Sequence, residues 1–233
     1  MALRQPVAQE RVAPVLEVVE AQPFLLPVES FYGRAGKRAF DIFASFLLLV
    51  LVSPVILVLA LAVAATSGLP VFYGGVRMGR DGKPFRVWKL RTMVRDAEAI
   101  VEYWKQKGTE EGVIYFQSYK LKKDPRVTRL GAFLRKTSLD ELPQLWNVLR
   151  GEMSLVGPRP IVADELEKYG ADRDAFLSVR PGLTGLWQVS GRNDIDYPER
   201  ADLELEYVWN FSWRQDLVLV LRTVPILFQV NGH

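Results

Sequence analysis

The stretch Ile42–Ala65 reads IFASFLLLVLVSPVILVLALAVAA, 24 residues without a single charged side chain. Coiled as an α-helix it would be about 36 Å long, which is enough to cross the hydrocarbon core of a bilayer. Helices in the core of a soluble protein are seldom apolar over such a length. The stretch therefore predicts a membrane-embedded helix.

Basic residues flank this apolar segment on both sides. Arg34, Lys37 and Arg38 precede it, and the cations that follow it are Arg77, Arg80, Lys83 and Arg86. Basic flanks mark the cytoplasmic side of a membrane, so both ends are expected on that side. The central Ser53–Pro54 pair supports this topology, because proline lacks an N–H and disturbs a helix while serine can satisfy the freed carbonyl. We predict a re-entrant helix–break–helix over about residues 38–66, with a simple membrane span as the alternative.

The start of the segment, Lys37-Arg38-Ala39-Phe40-Asp41, combines cations with a carboxylate. Arg38 and Asp41 are three residues apart, so they could pair on one helix face. An aspartate at the edge of hydrocarbon is costly unless it is paired. The residues fit a basic anchor at the interface and a pocket for an anionic lipid head group equally well.

Composition restricts the chemistry that this chain can perform. It has no cysteine, and its single histidine is the last residue, His233. A thiolate nucleophile, a buried histidine base and a Cys/His zinc site are thereby excluded. Carboxylates must do any catalytic work, and any metal ion would be hard and oxygen-bound, with Mg²⁺ the first choice and Mn²⁺ the second. The 30 basic and 27 acidic residues are too balanced to indicate a nucleic-acid partner.

Asp140 and Glu141 form the most reactive-looking pair in the chain. Ser138 followed by Glu141 is typical of a capping box, which predicts that a helix begins close to the pair. Pro143 fits only the first turn of that helix, so the helix could begin nearer Asp140. A carboxylate there would stay ionised, and phosphate would be attracted to the same place. On the local pattern alone a simpler interpretation is favoured, in which Glu141 caps the helix and Asp140 is a surface charge.

The other segments predict a mostly helical α+β fold with a small β-hairpin. Val71–Tyr73 and Pro84–Arg91 indicate a hairpin around Asp81-Gly82. Lys89 and Arg91 would share one strand face, which suits either a phosphate or a solvated edge.

The two ends of the chain and one glycine-rich stretch complete this outline. Residues 1–30 are predicted to be a tail and residues 31–233 one domain. Arg180–Asn193 predicts an exposed, looped platform, which fits either ligand contacts or a plain turn. Tyr197–Val230, which contains several aromatic residues, predicts amphipathic helices lying in the membrane interface.

Five motifs follow one another in a fixed order along the chain. They are Lys-Arg-x-x-Asp before the Ser-Pro segment, Lys-x-Arg-Thr-Met, Arg-Lys-Thr-Ser-Leu-Asp-Glu-Leu-Pro-Gln, Ser-Leu-Val-Gly-Pro-Arg-Pro, and Pro-Gly-Leu-Thr-Gly-Leu-Trp-Gln-Val-Ser-Gly-Arg-Asn. Together they closely resemble the bacterial sugar transferases, which are monotopic phosphoglycosyl transferases. The resemblance runs from about Lys37 to Phe228 and covers the catalytic part of that family. The chain departs from the family pattern at Leu203–Glu206, where relatives often read Leu-Asp-x-Tyr.

The resemblance implies a reaction that begins exopolysaccharide, capsule or O-antigen (lipopolysaccharide) synthesis at the membrane. Such enzymes transfer a sugar 1-phosphate from a UDP-sugar to undecaprenyl phosphate and release UMP, through a covalent aspartyl-phosphosugar intermediate. Asp140 would be the nucleophile and Glu141 its partner at Mg²⁺. Tyr169–Asp172 and the stretch after Gly191 look most like the galactose-transferring enzymes. UDP-glucose or another UDP-sugar is the alternative donor, and a non-catalytic anchor that binds anionic lipid is the alternative function.

The resemblance also implies roles for particular residues and a cellular location. Candidates for substrate binding are Lys89, Arg91, Arg135, Pro158, Arg159, Pro160, Gln188 and Arg192. Lys37, Arg38 and Asp41 match the family's head-group motif, and Ser53 and Pro54 match its helix break. The implied location is the bacterial inner membrane, with the catalytic part facing the cytoplasm and in contact with membrane lipid. A homodimer is a further expectation.

Overall fold

The computed structural model describes residues 30–118, 121, 124–191 and 195–228. Arg192 lies outside these residues, and so does the predicted tail apart from Ser30, so the division into tail and domain stays a prediction. The described part is mostly helical with a small antiparallel hairpin, which confirms the predicted α+β class. Its helices are α1 Lys37–Ser67, α2 Ala97–Lys107, α3 Glu110–Ser118, α4 Arg129–Lys136, α5 Gln144–Arg150, α6 Arg173–Leu177, α7 Leu186–Ser190, α8 Glu199–Asn210 and α9 Trp213–Phe228. Its strands are β1 Phe72–Met78, β2 Pro84–Leu90, β3 Ser154–Val156 and β4 Gly182–Thr184.

Helix α1 is continuous through Pro54, which differs from the expected break into two helices. Pro54 cannot donate a backbone hydrogen bond to the carbonyl of Val50. Ser53 Oγ donates to that same carbonyl oxygen at 3.0 Å. The serine thus satisfies the acceptor that the proline frees, as the sequence predicts, and the helical assignment continues across the pair.

Both ends of α1 contact the same folded body. Near its start, Asp41 accepts a hydrogen bond from the backbone N–H of Leu155 in β3 at 2.9 Å. Near its end, Val63 packs with Leu90 of β2 and Leu134 of α4 in one buried cluster. One side of the helix therefore belongs to the core of the domain.

The opposite side of α1 is an exposed apolar surface. Among the described helices, only α1 is long and apolar enough to cross a membrane. Its large exposed side chains include Phe43, Phe46, Leu47, Leu51, Leu57, Val58 and Leu61. A continuous apolar surface of this kind marks contact with lipid or with another protein.

Helix α9 repeats this arrangement on a smaller scale. Asp216 and Leu219 are buried, while the opposite face exposes Trp213, Leu217, Val218, Leu221 and Val224. Helices α8 and α9 confirm that the chain is helical after Tyr197. Buried residues of both helices join the main core, where Tyr207 and Leu219 pack with Val148 of α5.

Two short sheets position the loops of the domain. Strands β1 and β2 pair antiparallel, with Tyr73 opposite Lys89 and Arg77 opposite Phe85. The predicted turn at Asp81-Gly82 is confirmed, and both residues have positive φ angles, 57° and 70°. Strands β3 and β4 pair in parallel.

Glycine is required where β4 meets the loop after β3. A Cβ atom added to Gly182 would lie 2.1 Å from the backbone N of Gly157, and one added to Gly185 would lie 2.2 Å from the oxygen of Gly157. No side chain fits at such distances. The glycines of the two sequence motifs thus allow the two backbones to pack directly against each other.

Candidate active site

Asp140 lies in a short 3₁₀ turn, Leu139–Glu141, between α4 and α5. The predicted capping box is wrong, because Ser138 has a left-handed backbone (φ 56°) and its side chain makes no capping bond. Helix α5 begins only at Gln144, after Pro143. The packing of the flanking leucines explains why the chain turns here. Leu139 packs on the Val63 cluster, whereas Leu145 belongs to the main core, and the chain must change direction to reach both.

The carboxyl group of Asp140 is buried, with 6% of the residue exposed. Burial raises its pKa from 3.8 to about 6, and the charge of Glu141 adds to that increase. The positive charges of Lys89 and Arg135 oppose the increase. The interpretation of Asp140 as a surface charge is therefore wrong. It is a poorly solvated carboxylate held close to two cations.

Lys89 and Arg135 reach the turn from different parts of the fold. Lys89 projects from β2, and its Nζ donates to Glu141 Oε1 at 2.5 Å. Arg135 lies in the last turn of α4, and its Nε donates to Thr92 Oγ1 at 2.8 Å. Two cations and two carboxylates predicted as site residues are thus brought together.

The turn supplies carboxylate oxygens, which are the type of donor that a magnesium ion prefers. No group of three or more potential metal ligands occurs among the residues that the structure describes. Asp140 and Glu141 supply two carboxylates. Mg²⁺ in phosphoryl-transfer sites is commonly held by one or two carboxylates together with substrate phosphates.

Arg91 contacts the C-terminal end of α1. Its Nη2 donates to the carbonyl oxygens of Ser67 and Gly68, both at 2.6 Å. The strand ends at Leu90, so the period of two that placed Lys89 and Arg91 on one face no longer holds at Arg91. In the structure Arg91 caps the C-terminus of α1.

The three charged residues at the start of α1 also make contacts within the protein. Lys37 Nζ donates to Asp216 Oδ2 at 2.5 Å and to Tyr207 OH at 2.9 Å. Arg38 Nη1 and Nη2 donate to the carbonyl oxygens of Val148 and Leu149 at the end of α5.

Asp41 accepts hydrogen bonds from Ser154 Oγ and from the backbone N–H of Leu155. The predicted Arg38–Asp41 pair is therefore wrong, because each of the two side chains finds a partner on a different element. Lys37 and Asp41 are buried, and their charges are used to attach α1 to the domain.

The loop that contains Pro158, Arg159 and Pro160 is held in place by Glu204 of α8. The backbone N–H of Arg159 donates to Glu204 Oε1 at 3.1 Å. Glu204 is 1% exposed and also accepts hydrogen bonds from Tyr169 OH and Arg200 Nε. Burial raises the pKa of Glu204, and the neighbouring Arg200 acts against this increase.

The roles of Glu204 and Arg200 were missed from the sequence. Their spacing of four residues on a helix was the available signal. Arg159 also lies over Trp187, with its Cζ 5.6 Å from the ring centroid. Gln188, in the next position of α7, is half-buried, and its Oε1 has no hydrogen-bond partner among the described residues.

The fold and the site together define a class of protein. A helical domain with an exposed apolar helix carries a buried carboxylate beside two cations, which is suited to phosphate chemistry at a membrane. Residues 32–230 match the family described as bacterial sugar transferase. The chain belongs to this family, which confirms the resemblance seen in the sequence.

Individual relatives carry more specific names. The chain is 45% identical over 200 residues to the undecaprenyl-phosphate galactose phosphotransferase of Salmonella typhimurium, covering 86% of this chain and 42% of that protein. It is 44% identical over 200 residues to the UDP-galactose-lipid carrier transferase of Erwinia amylovora, with the same coverage of each. The exopolysaccharide production protein ExoY of Rhizobium meliloti is 45% identical over 216 residues, 91% of this chain and 96% of ExoY. The chain thus spans about two-fifths of the first two relatives and nearly all of the third.

Proposed function

We propose that this protein transfers a sugar 1-phosphate from a UDP-sugar to undecaprenyl phosphate and releases UMP, through a covalent intermediate on Asp140. The observation that carries the proposal is the buried Asp140 carboxylate with a pKa of about 6 beside Lys89 and Arg135. At neutral pH this group is mostly ionised but poorly solvated, which favours nucleophilic attack. The relatives that act on undecaprenyl phosphate or a lipid carrier support the choice of acceptor.

Asp140 and the charged residues around its turn have different roles in the first step. Asp140 attacks the phosphorus that carries the sugar, and UMP leaves. Lys89 and Arg135 stabilise negative charge on the phosphoryl oxygens as the transition state forms. Glu141 keeps Lys89 oriented through the 2.5 Å ion pair. Two half-reactions allow the water-soluble donor and the lipid acceptor to use the site in turn.

Magnesium fits the two carboxylates of Asp140 and Glu141 as the metal of this reaction. When bound, it would neutralise phosphate charge as a Lewis acid. The pKa of Asp140 provides a reason for such a cation, since any further positive charge beside this carboxylate lowers its pKa and keeps it ionised.

The proposed topology is monotopic, with the domain on the cytoplasmic face of the inner membrane. Asp41 near the start of α1 and Val63 near its end both contact the domain, while the other side of the helix is apolar and exposed. A helix crossing the bilayer would place these two positions on opposite sides. Cysteines introduced near Gly33 and Gly75 should both react only from the cytoplasm, and labelling of one of them from the periplasm would show a true span.

We propose galactose as the sugar, with glucose as the second candidate. Several of the relatives, the Salmonella and Erwinia proteins among them, are named for galactose. An Escherichia coli relative named UDP-glucose:undecaprenyl-phosphate glucose-1-phosphate transferase is 41% identical over 201 residues. A panel of UDP-sugars scored by UMP release with undecaprenyl phosphate present distinguishes the two.

The covalent step is tested without any lipid acceptor. The protein incubated with UDP-sugar and Mg²⁺ should release UMP and gain the mass of a sugar phosphate on the peptide that contains Asp140. Excess EDTA should prevent both, and added Mg²⁺ or Mn²⁺ should restore them. UMP release that depends strictly on lipid, with no adduct, would mean direct transfer, and Asp140 would then be only a metal ligand.

A further inference from the structure

Arg77 and Arg159 form a cationic pair outside the Asp140 turn. Arg77 lies on β1, and Arg159 lies in the loop after β3. Within the described residues, neither has a carboxylate at ion-pair distance, although ion pairs are common elsewhere in the domain. Glu165 acts electrostatically on Arg77, and Glu204 lies close enough to Arg159 to feel its charge, but neither carboxylate forms an ion pair with these arginines. A partly buried guanidinium group that makes no ion pair is a candidate for binding an anion.

The two arginines are held together by the backbone. The N–H of Met78, next to Arg77, donates to the carbonyl oxygen of Ile161, two residues after Arg159, at 2.8 Å. This bond fixes the end of β1 against the Arg159 loop. Burial and the nearby charge of Arg159 both lower the pKa of Arg77, in that order of size, which agrees with their proximity.

The guanidinium of Arg77 turns back along its own strand toward Gly75, and its Nη1 donates to the carbonyl oxygen of Val76 at 2.7 Å. Arg77 Nη1 lies 3.2 Å from the position that a Cβ of Gly75 would take, and the Tyr73 ring approaches the same position from the other side at 3.3 Å. Tyr73 is directly opposite Lys89, so these side chains share one face of the hairpin. Gly75 and Tyr73 are two positions apart in the strand, a distance of about 7 Å between their Cα atoms.

We propose that Arg77, together with Arg159, binds the phosphate that leaves with the nucleotide, while Lys89 contacts the phosphate that Asp140 attacks. Arg77 lies nearer the turn of the hairpin on this face, and Lys89 lies nearer its open end. The shared face therefore provides one cationic position for each phosphate. This inference rests on the proposed function and adds Arg77 as a binding residue for the donor.

The chemistry of the step explains what Arg77 would stabilise. A bond forms between a carboxylate oxygen of Asp140 and the phosphorus attached to the sugar. The bond from that phosphorus to the bridging oxygen breaks, and its electron pair stays on the oxygen, which leaves as part of UMP. Negative charge thus grows on the leaving phosphate and no proton is transferred, so two guanidinium groups there lower the barrier.

The test compares Arg77→Gln with Arg86→Gln in the full chain. Arg86 is exposed on the same hairpin but on the opposite face, across from Val76. We expect Arg77→Gln to slow UMP release and adduct formation by about 100-fold. It should also weaken UMP binding, measured calorimetrically, by about tenfold or more. Arg86→Gln should change neither quantity.

The rate of the second half-reaction distinguishes a role of Arg77 in binding the nucleotide phosphate from a purely structural role. The adduct of Arg77→Gln is allowed to accumulate, the donor is removed, and undecaprenyl phosphate is then added. Because UMP has already left, we expect transfer to the lipid at the wild-type rate. Arg77→Lys, which keeps the charge but loses the planar fork, should give intermediate rates of adduct formation.

Two outcomes would overturn the inference. One is wild-type UMP affinity and adduct formation in Arg77→Gln. The other is an equal slowing of both half-reactions with a lower unfolding temperature, which would mean that Arg77 only supports the hairpin. If the wild-type protein forms no adduct at all, the proposed covalent mechanism fails instead. The UMP affinities of the two variants then still decide whether Arg77 binds the nucleotide phosphate.

Discussion

Two lysine–carboxylate pairs with the same 2.5 Å separation serve different purposes in this domain. Lys37 and Asp216 are buried, with 11% and 1% of their side chains exposed. Lys89 and Glu141 are partly open, with 28% and 30% exposed. Distance alone therefore does not distinguish a buried structural ion pair from one beside the candidate active site.

The surroundings of each pair make the difference. Asp216 also accepts hydrogen bonds from Tyr207 OH at 2.8 Å and from Tyr32 OH at 2.7 Å, so its charge is fully compensated. That network ties the start of α1 to α8 and α9. Beside the Lys89–Glu141 pair, the Asp140 carboxyl group is buried and its pKa is raised. Holding this group ionised in the folded protein at neutral pH therefore lowers the free energy of unfolding. The first cluster attaches α1 to the domain, whereas the second contains a carboxyl group whose ionisation in the folded protein lowers stability.

The largest effect that we predict from this comparison is that of Asp140→Asn. Turnover and adduct formation should fall on the order of 10⁴-fold or more, since the amide is a poor nucleophile. Stability should change in the opposite direction. The raised pKa of Asp140 stabilises the fold only at low pH, and this contribution is lost as the pH rises through about 6. At pH 7.5 the variant should therefore be more stable by as much as roughly 3 kcal/mol.

Thermal unfolding of the variant and the wild type, followed at pH 5 and pH 7.5, measures this effect. The gain in stability should be smaller at pH 5, where the wild-type carboxyl group is mostly protonated. Asp202→Asn on the exposed surface of α8 is the matched control and should leave both activity and stability unchanged. A lower unfolding temperature for Asp140→Asn would contradict the interpretation that the ionised carboxylate of Asp140 destabilises the folded protein.

The next largest effect is expected from Lys37→Met compared with Lys89→Met. Removing Lys37 leaves Asp216 buried without its counter-charge, which should cost about 3–5 kcal/mol of the free energy of unfolding. Removing Lys89 breaks a pair that is open to solvent, so less than about 1 kcal/mol should be lost. Activity should show the reverse order per folded molecule, because only Lys89 lies beside Asp140.

A double variant checks the interpretation of the Lys37 pair. Lys37→Met combined with Asp216→Leu removes both charges and should recover most of the lost stability. If the double variant remained as unstable as Lys37→Met, the uncompensated charge of Asp216 would not be the cause of the loss.

The smallest predicted effect is on the pH profile of the first half-reaction. The reactive form of Asp140 is ionised, so the rate of UMP release should fall about tenfold for each pH unit below about 6. The charge of Lys89 lowers the pKa of Asp140. The residual activity of Lys89→Met should therefore begin to fall at a higher pH than that of the wild type. Profiles that coincide would show that another group limits the rate at low pH.

Much of the fold was predictable because its signals are local. The uncharged run after Asp41, the Asp81-Gly82 turn and the helical pattern after Tyr197 depend only on neighbouring residues, and the structure confirms each of them. The Ser53–Pro54 pair was predicted to break the helix. The same local chemistry, a hydroxyl donating to the carbonyl that proline frees, instead allows α1 to continue.

The sequence by itself determined the family and the membrane-type helix, and it identified Asp140–Glu141 as the candidate reactive pair. Only the tertiary structure decided which cations serve that pair. Lys37, Arg38 and Arg91 were predicted as binding residues, and in the structure they connect α1 to the domain. Lys89 and Arg135 reach the Asp140 turn. The physical reason is that the role of a charge depends on its burial and on its partners. Those partners lie far apart in the chain, as Lys37 and Asp216 do, and no local pattern specifies them.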